Sequence, residues 1–398
     1  MTARIAIVGA GLGGLTAANA LLARGFDVTL YEQSNELKEV GAGVQLSPNA
    51  MKALMAMGLD RNVIANAFEP ERHVVRNWKS GGIVSATRLK GFCKDQYGAG
   101  YYGFHRHDLH AALLDPLPRE RIILNAKCTG VESGADRALL RFADGREGEC
   151  DAVIGADGIH SVVREAMFGP DAPRFTDHIC WRGVVPTASL PEGLVEPDMA
   201  AWFGPHSTFV TYFMRGGTLV NWAGFCEAGD WRQESWRVEG DRNEAIKTYK
   251  DWHPSITRLI ENTEQVYKWA LYDREPLRQW TRGRITLLGD AAHPMLPYLA
   301  QGACMAVGDA YVLAAMLAKR QGSIEDALKA YEDLRRPRTA QVQRNSSARA
   351  RTNELVSPLA RLKRDLVYKF NKLMHPERHT YGIEWIYGYD VVAAAGPT

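Results

Sequence analysis

The chain has few cysteines and almost no net charge, and each shortage excludes a class of protein. Six cysteines occur in 398 residues, with neither CxxC nor Cys/His metal spacing: Cys93, Cys128, Cys150, Cys180, Cys226 and Cys304. They predict reduced, mostly buried thiols of a cytoplasmic protein, and they argue against a disulfide framework or a metal site. The formal net charge is only +2, which gives no strong attraction to a polyanion, so no nucleic-acid partner is expected.

Long hydrophobic runs are also missing. No stretch of 18 apolar residues occurs, so no membrane span is expected, and the first residues lead straight into a strand-like run, so no signal peptide is expected. The only basic concentrations are residues 335–351 and 361–372. Because no aromatic platform accompanies them, we interpret them as a solvated helix face. With 46% hydrophobic and 24% charged residues, the chain can bury a large core, and we expect two domains.

A glycine-rich turn near the start of the chain separates an apolar run at residues 5–8 from a helix-forming run at 15–24. Gly9 permits a tight turn, Gly11 lets the backbone approach a pyrophosphate, and Gly14 allows close packing of helix on sheet. The N-terminus of the helix then faces the phosphates. This pattern predicts a dinucleotide-binding βαβ unit.

The second strand of that unit, at residues 27–31, ends in Glu32. A carboxylate at this place accepts hydrogen bonds from ribose hydroxyls, whereas a bound NADP prefers a basic group. The nucleotide is therefore NAD or FAD, and the spacing alone does not separate the two.

Two more strand-to-turn segments follow. Asp157 and Gly158 lie in a turn after an apolar run, and Gly289 and Asp290 follow another at residues 284–288. Doubly wound sheets bind ligands at such carboxyl ends of strands. Residues 300–306 then predict a helix start, whose free N–H groups stabilise negative charge.

These three segments, in this order, resemble the fingerprints of the single-component FAD-dependent aromatic hydroxylases, the group A flavoprotein monooxygenases, over essentially the whole chain. The resemblance implies bound FAD, NADH or NADPH as a transient co-substrate, O2, and a small aromatic substrate. It implies hydroxylation through a flavin C4a-hydroperoxide, which the protein must shield from water. A second Rossmann fold for the nicotinamide is neither implied nor visible.

The resemblance also assigns roles to individual residues. The residues expected to bind FAD are Gly9, Gly11, Gly14, Glu32, Arg106, Asp157, Asp290, Gly302 and Ala303. For Asp157 a helix N-cap is the structural alternative. Those expected at the reaction centre are Tyr212, which contacts the substrate hydroxyl or ring nitrogen, Gln45 and Tyr298 as polar orienters, and Pro294 at the edge of the flavin ring.

Within the family, the chain is most similar to the hydroxylases of salicylate, 3-hydroxybenzoate and 6-hydroxynicotinate, through residues 41–49, 293–305 and 385–390. It departs from them at Thr208, where histidine is common, and at Gly308, where glutamate is common. The sequence gives no physical reason for Gly308.

Other side chains have competing interpretations. A substrate carboxylate could pair with Arg182 or Arg215, but we interpret each as a surface or hairpin charge. His293 is interpreted as a structural group of its turn, and Tyr212 could be an ordinary strand tyrosine.

The predicted fold class is α/β: a Rossmann-like FAD-binding fold interleaved with a mostly antiparallel substrate domain, followed by a helical C-terminus. The FAD-binding domain takes residues 1–60, 101–170 and 276–340, the substrate domain 61–100 and 171–275, and the helical region 341–398. Ser323 predicts a capping box that opens a helix, and Pro337 should bend or end it. The protein is expected to be a monomer or a homodimer.

Two other functions remain open at this point. A flavin oxidase or halogenase-like enzyme could use the same FAD shell, although the halogenase motif is not evident. A non-enzymatic redox sensor would bind FAD without substrate-stimulated oxidation of NAD(P)H. The sequence does not identify the ring, the position attacked, the loss of a carboxylate, or the choice between NADH and NADPH.

Overall fold

The structure is a computed structural model that describes residues 2–37, 42–233, 238–319, 323–376, 378–379 and 382–397. Gly41 of the subgroup segment lies outside these residues. The strands are β1 (Arg4–Val8), β2 (Asp27–Tyr31), β3 (Gly43–Leu46), β4 (Arg72–Asn77), β5 (Ile83–Arg88), β6 (Tyr102–His105), β7 (Ile122–Ile123), β8 (Cys128–Ser133), β9 (Ala138–Phe142), β10 (Glu147–Cys150), β11 (Ala152–Gly155), β12 (Arg174–Pro186), β13 (Met199–Gly204), β14 (Ser207–Met214), β15 (Leu219–Glu227), β16 (Val266–Asp273), β17 (Thr281–Arg282) and β18 (Ile285–Leu287). The α-helices are α1 (Leu12–Leu22), α2 (Pro48–Ala56), α3 (Asp60–Ile64), α4 (Phe92–Tyr97), α5 (Arg106–Leu114), α6 (Val162–Phe168), α7 (Arg242–Thr248), α8 (Pro254–Glu261), α9 (Gly302–Lys319), α10 (Ile324–Asn353), α11 (Pro358–Met374), α12 (Glu384–Tyr387) and α13 (Val391–Ala395).

One sheet carries the three glycine-containing turns. Its strand order is β17-β18-β11-β1-β2-β7, and all pairs except β17 with β18 are parallel. Strands β1 and β11 are almost wholly buried because helices cover both faces, which explains their uninterrupted apolar runs. The carboxyl ends of β1, β11 and β18 therefore meet at one edge, as the sequence predicted.

The second large sheet has the order β16-β12-β15-β14-β13-β4-β5 and is antiparallel except where β13 pairs with β4. Its central strands are those predicted from alternating patterns. Residues 215–217 connect β14 to β15, and all three have positive φ angles. An antiparallel ribbon of β3 and β6 packs against β14 and so joins the two sheets. The predicted fold class is confirmed, whereas the exact domain boundaries remain a prediction.

The C-terminal part is helical, and one of the two outcomes predicted for Pro337, that it ends its helix, was wrong. Ser323 caps α10 by accepting a hydrogen bond from the Asp326 amide, as expected. Pro337, however, does not end the helix, which continues to Asn353. Pro337 is exposed, so water can bind the carbonyl that lacks a partner, and buried residues of α10 on either side of it hold the helix on the protein.

The basic region was also interpreted incorrectly. Arg335 and Arg364 are buried, and each bonds to an acid, Asp309 and Asp365 respectively. The residues 335–351 and 361–372 are therefore only partly a solvated face.

Among the described residues, α9 alone is long and apolar enough to cross a membrane, but 72% of it is buried inside the protein, so it is a core helix.

Candidate active site

The first glycine turn is packed too tightly for a side chain at Gly9 or Gly14. Gly9 has a φ of +103°, and a Cβ on Gly14 would lie 1.9 Å from the Gly9 carbonyl oxygen. A Cβ on Gly11 would meet nothing within 4 Å, so this residue faces open space. Because α1 has no capping side chain and no acid in its first turn, its N–H groups are available to an anion. This donor set fits the pyrophosphate of a dinucleotide.

Two carboxylates expected near the nucleotide accept hydrogen bonds from other groups of the same chain. Glu32 accepts hydrogen bonds from the amides of Ala10 and Ser34, both at 2.9 Å, and thereby ties the end of β2 to the glycine turn. Asp157 accepts bonds from the Ser161 hydroxyl at 2.6 Å and from the Val163 amide at 3.1 Å. Burial raises the pKa of Asp157. The N-cap of α6 is Ser161, so Asp157 supports the cap and is not itself the cap. Contacts of either acid with FAD remain a prediction.

The other predicted FAD-binding residues lie around the same edge. Asp290 is exposed in the turn after β18, and a Cβ on Gly302 would lie 3.9 Å from its carboxylate oxygen. Gly302 and Ala303 lie in the first turn of α9, and that first turn contains no acidic residue. Arg106 begins α5 and is partly exposed. Asp290 and the start of α9 are thus close together, and the contacts of all these residues with FAD remain a prediction.

The face of the antiparallel sheet that packs against Leu296 and Tyr298 is less covered at its centre than elsewhere. Val210, Ala223, Arg182 and Tyr267 stand side by side across β14, β15, β12 and β16. Val210 and Ala223 are only half-buried, although the neighbouring strand positions are almost all buried. Small apolar side chains without cover in the middle of a buried face mark the floor of a pocket.

Tyr212 lies at one end of this floor, beneath the β3–β6 ribbon. The ribbon has glycines where it crosses Tyr212: a Cβ on Gly43 would lie 2.3 Å from the Tyr212 hydroxyl, and one on Gly103 would lie 3.2 Å from its ring. Gln45 accepts a hydrogen bond from the Tyr101 hydroxyl and lies beside the Tyr212 hydroxyl, where it partly opposes the effect of burial on the pKa of Tyr212.

The ionisation state of Tyr212 follows from its surroundings. Burial raises the pKa of Tyr212, and the positive charge of Arg182 only partly opposes this effect. Tyr212 is therefore a neutral hydrogen-bond donor at physiological pH. The role of Gln45 in orienting the substrate remains a prediction.

The two arginines considered for a substrate carboxylate have different positions. Arg215 is exposed and makes a bidentate pair with Asp108 at 2.6 and 2.7 Å, so it is a hairpin charge as interpreted. Arg182 is 6% exposed, and its guanidinium lies 4.8 Å from the ring centre of Trp269. Interpreting Arg182 as a surface charge was wrong. Strand alternation places it on the pocket face, which the sequence could not show without the register.

The other end of the floor carries a charged cluster that the sequence did not reveal. The Tyr298 ring packs on Phe225, and its buried hydroxyl lies beside the Glu354 carboxylate without reaching hydrogen-bond geometry. Glu354 accepts a bond from the Thr208 hydroxyl at 3.2 Å and pairs with His178 Nε2 at 2.9 Å. His178 Nδ1 lies 2.8 Å from a backbone carbonyl oxygen, so both ring nitrogens face acceptors and the ring is an imidazolium.

The turn after β18 is fixed from behind by a buried ion cluster. Asp309 binds His293 at 2.5 Å and Arg335 at 2.7 Å, and all three side chains are almost fully buried. Although burial alone raises it, the interactions with His293 and Arg335 lower the pKa of Asp309 overall. The Pro294 carbonyl accepts a bond from Gln343 at 2.8 Å. His293 is therefore structural, while the role of Pro294 beside the flavin remains a prediction.

This cluster explains Gly308. A Cβ on Gly308 would lie 2.9 Å from the Arg335 guanidinium, which also donates to the Met305 carbonyl. The glycine makes room for the arginine.

All six cysteines are free and buried. Within the described ranges, no group of three or more His, Cys, Asp or Glu side chains could hold a metal ion.

Comparisons with known proteins agree with this geometry. Residues 2–346 match the family model described as FAD binding domain. The chain is 38% identical to a 3-amino-4-hydroxybenzoate 2-monooxygenase of Streptomyces platensis over 97% of this chain and 96% of that protein. It is 37% identical to a 6-hydroxynicotinate 3-monooxygenase of Pseudomonas fluorescens over 88% of this chain and 92% of that protein. A salicylate hydroxylase substrate complex superposes with a TM-score of 0.82 at 27% identity, over 99% of this chain and 97% of that one.

Proposed function

This chain belongs to the FAD-dependent aromatic monooxygenases, with FAD as its cofactor, and on that premise we propose that it hydroxylates a small carboxylated phenol or hydroxypyridine using O2 and NADH or NADPH. The observation that carries the proposal is the row formed by Val210, Ala223 and Arg182, with Tyr212 two residues further along β14 and therefore on the same face. Such a row offers an apolar floor for a flat ring, a cation for a carboxylate and a donor for a ring oxygen. The relatives named above act, by their names, on rings that carry both groups.

Arg182 is the proposed anchor of the substrate carboxylate. A guanidinium presents a planar fork that matches a carboxylate with two parallel hydrogen bonds. Arg182 remains charged even though burial lowers its pKa, because an arginine is not deprotonated in a protein. Its stacking on Trp269 keeps the fork in one orientation, so the carboxylate fixes the ring in the pocket.

Tyr212 is the proposed partner of the ring hydroxyl. It is neutral, so its hydroxyl can donate to the substrate oxygen, and this hydrogen bond favours binding of the ring as a phenolate whose proton has been released to solvent. A ring with a phenolate oxygen is a better nucleophile than the neutral phenol. FAD, when bound and reduced, supplies the activation of O2 that this ring then uses.

The aromatic side chains around the floor keep water out. Phe225, Trp269 and Tyr298 close the side of the pocket away from Tyr212. Water exclusion strengthens the hydrogen bonds to the substrate and prevents unproductive decay of the oxygenating species to peroxide.

A substrate screen tests the proposal. The FAD-loaded enzyme is mixed with hydroxybenzoates, aminohydroxybenzoates and hydroxynicotinates, and oxidation of NADH and NADPH is followed together with product and peroxide. We expect at least one ring to stimulate oxidation with hydroxylated product in near-equal amount. A ring that stimulates oxidation but yields only peroxide is an uncoupled effector and not the substrate, and peroxide alone with every ring would contradict the proposal. Product formation from a substrate without nicotinamide would also contradict it and would favour an oxidase. FAD binding with no response to any ring favours the redox sensor.

A matched pair of variants tests the carboxylate anchor. For the best substrate, Arg182→Gln should raise KM by about 10- to 100-fold relative to the natural enzyme, because a charged hydrogen bond is worth about 1.5–3 kcal/mol. The carboxamide analogue of that substrate should be affected much less. Arg215→Gln serves as the control, since Arg215 pairs with Asp108 at the surface. Equal losses for the acid and its amide would remove Arg182 from carboxylate recognition.

A further inference from the structure

Helix α11 is amphipathic, but its polar side faces the protein and its apolar side faces solvent. Its buried side chains are Arg364 and Tyr368, and Arg364 donates to the Asn353 carbonyl at 2.7 Å and to Asp365 at 2.8 and 2.9 Å. The opposite face is exposed to solvent and apolar. Its members, with their exposed fractions, are Leu359 (74%), Leu362 (55%), Leu366 (56%), Phe370 (61%) and Leu373 (79%). We call these five residues the outer stripe.

The spacing of the outer stripe makes it continuous. Steps of three and four residues place side chains on one face of a helix. Among the described residues, every exposed large hydrophobic side chain except Met55 and Ile83 lies between residues 356 and 374. Together they expose on the order of 800 Å² of apolar surface, more than a monomer usually leaves in contact with water. Such a concentration on one element indicates a surface that another molecule covers.

We propose that a second copy of this chain covers the outer stripe, in a dimer whose two-fold axis passes beside Leu366. The exposed area matches the roughly 800 Å² that each partner contributes to a standard interface. The order of residues is also self-complementary. Leu359 and Leu373 lie seven residues on either side of Leu366, and Leu362 and Phe370 lie four residues on either side. In an antiparallel pair of helices related by a two-fold axis, large apolar side chains then meet large apolar side chains along the whole contact.

Charges on the helix are compatible with this pairing. Lys363 and Lys369 are exposed on opposite edges of the outer stripe, where long side chains can keep their ammonium groups in water while their stems cover apolar surface. Four further charged residues lie on this helix. Arg364 and Asp365 pair with each other on the protein side, Arg361 lies over the Trp78 ring, and Lys372 donates to the Thr87 hydroxyl and the Pro376 carbonyl. The stripe itself therefore contains no charge that dimerisation would bury.

The mass of the FAD-loaded protein in solution tests the proposal. Light scattering and sedimentation velocity over a range of concentrations should give twice the 44.2 kDa of one chain. Leu366→Lys should shift the equilibrium to the monomer while flavin content, circular dichroism and turnover per chain stay unchanged. Met55→Lys is the control, because Met55 is 49% exposed and lies on α2, away from the stripe. Salt should not dissociate the dimer, because its contacts are apolar.

Cysteine cross-linking tests the symmetry. Leu366→Cys should form a disulfide-linked dimer under mild oxidation, whereas Leu359→Cys alone should not, and Leu359→Cys combined with Leu373→Cys should. All native cysteines are buried, so the background is low.

A natural protein that stays monomeric, or a dimer that survives Leu366→Lys, overturns the proposal. A monomer that co-sediments with vesicles of phosphatidylserine and phosphatidylcholine also overturns it and assigns the stripe to a lipid surface.

Discussion

At the level of single residues, Tyr212 is placed by the side chains and backbone that surround it. Gln45, whose oxygen accepts a hydrogen bond from the Tyr101 hydroxyl, lies beside it. Gly43 leaves the space that the Tyr212 hydroxyl occupies. Because burial keeps this hydroxyl neutral, we expect it to donate a hydrogen bond to the substrate oxygen.

Replacing Tyr212 by phenylalanine tests the contact. Loss of the hydroxyl removes a donor that acts while the ring oxygen becomes negative, so the hydroxylation barrier should rise by about 1–3 kcal/mol. Reduction of the flavin by nicotinamide does not use this contact and should change little. Stopped-flow absorbance and product analysis should show normal reduction but more peroxide and less product.

The control for that experiment is Tyr272→Phe, which deletes an exposed hydroxyl bonded to the Arg232 carbonyl. It should keep the product yield of the natural enzyme. If Tyr212→Phe also keeps its full yield, then Tyr298 becomes the remaining hydroxyl to test.

Gly308→Ala tests the explanation given for that glycine. In an ordinary helix the change would stabilise by up to about 1 kcal/mol. Here the added methyl group would lie 2.9 Å from the Arg335 guanidinium, which is bound to Asp309 and cannot leave without exposing a buried carboxylate. We expect a net loss of about 1–3 kcal/mol in the free energy of unfolding, measured by denaturant titration. A gain in stability would mean that Arg335 has room to shift.

The sequence predicted some site residues and not others for a physical reason. Gly9, Gly14 and Glu32 follow from local geometry, because a tight turn and a strand end are short-range features. Arg182 and Glu354 depend on the register of β12 and on the place where α10 ends, and both are set by contacts between distant parts of the chain. Gly308 could not be explained without Arg335, which lies 27 residues further on.

At the level of elements, strands and helices were predicted better than their ends. The alternating runs gave β12, β14 and β15, because an antiparallel sheet with one face on each core imposes a period of two. Pro337 was misjudged because its effect depends on exposure: a proline on the solvent side of a helix held by buried neighbours removes one hydrogen bond without leaving a buried acceptor.

The end of α10 is joined to β12 by the pair of Glu354 and His178, and this link should depend on pH. The hydrogen bond to Glu354 raises the pKa of His178, and burial only partly opposes it. A raised pKa in the folded state stabilises the protein fully below the ordinary value of about 6.5. The contribution is lost as the pH rises from there through the raised pKa.

His178→Phe should remove this dependence. Denaturant unfolding of the natural protein between pH 6 and pH 9 should show a fall in stability that the variant lacks. His206→Phe is the comparison, because His206 pairs with Glu227 at the exposed surface, where ion pairs contribute little. Parallel pH profiles of the natural protein and His178→Phe would show that the pair does not stabilise the α10 end.

At the level of the whole molecule, the residues predicted to bind FAD come from separate chain segments. The glycine turn after β1, Asp157, the turn after β18 and the start of α9 belong to distant parts of the sequence, and the parallel sheet brings the three turns to one edge. A ligand that binds only the folded state stabilises it by RT ln(1 + [L]/Kd), which is about 2.7 kcal/mol at 100 times Kd. FAD should therefore raise the stability of both sheets together.

Removing the predicted contacts with FAD should reduce the amount by which FAD stabilises the protein. Glu32→Ala and Asp290→Ala should lower the flavin-to-protein ratio measured by absorbance, and added FAD should raise their melting temperatures less than that of the natural protein. Glu32→Ala should also lower the stability of the FAD-free protein, because the Ala10 and Ser34 amides lose their acceptor. Asp290→Ala should not, since Asp290 is exposed. Glu120→Ala, at an exposed position outside the site, is the control. Full flavin content in both site variants would place the cofactor elsewhere, whereas loss of flavin with unchanged FAD-free stability in Asp290→Ala alone would identify Asp290 as a residue that acts only on the cofactor.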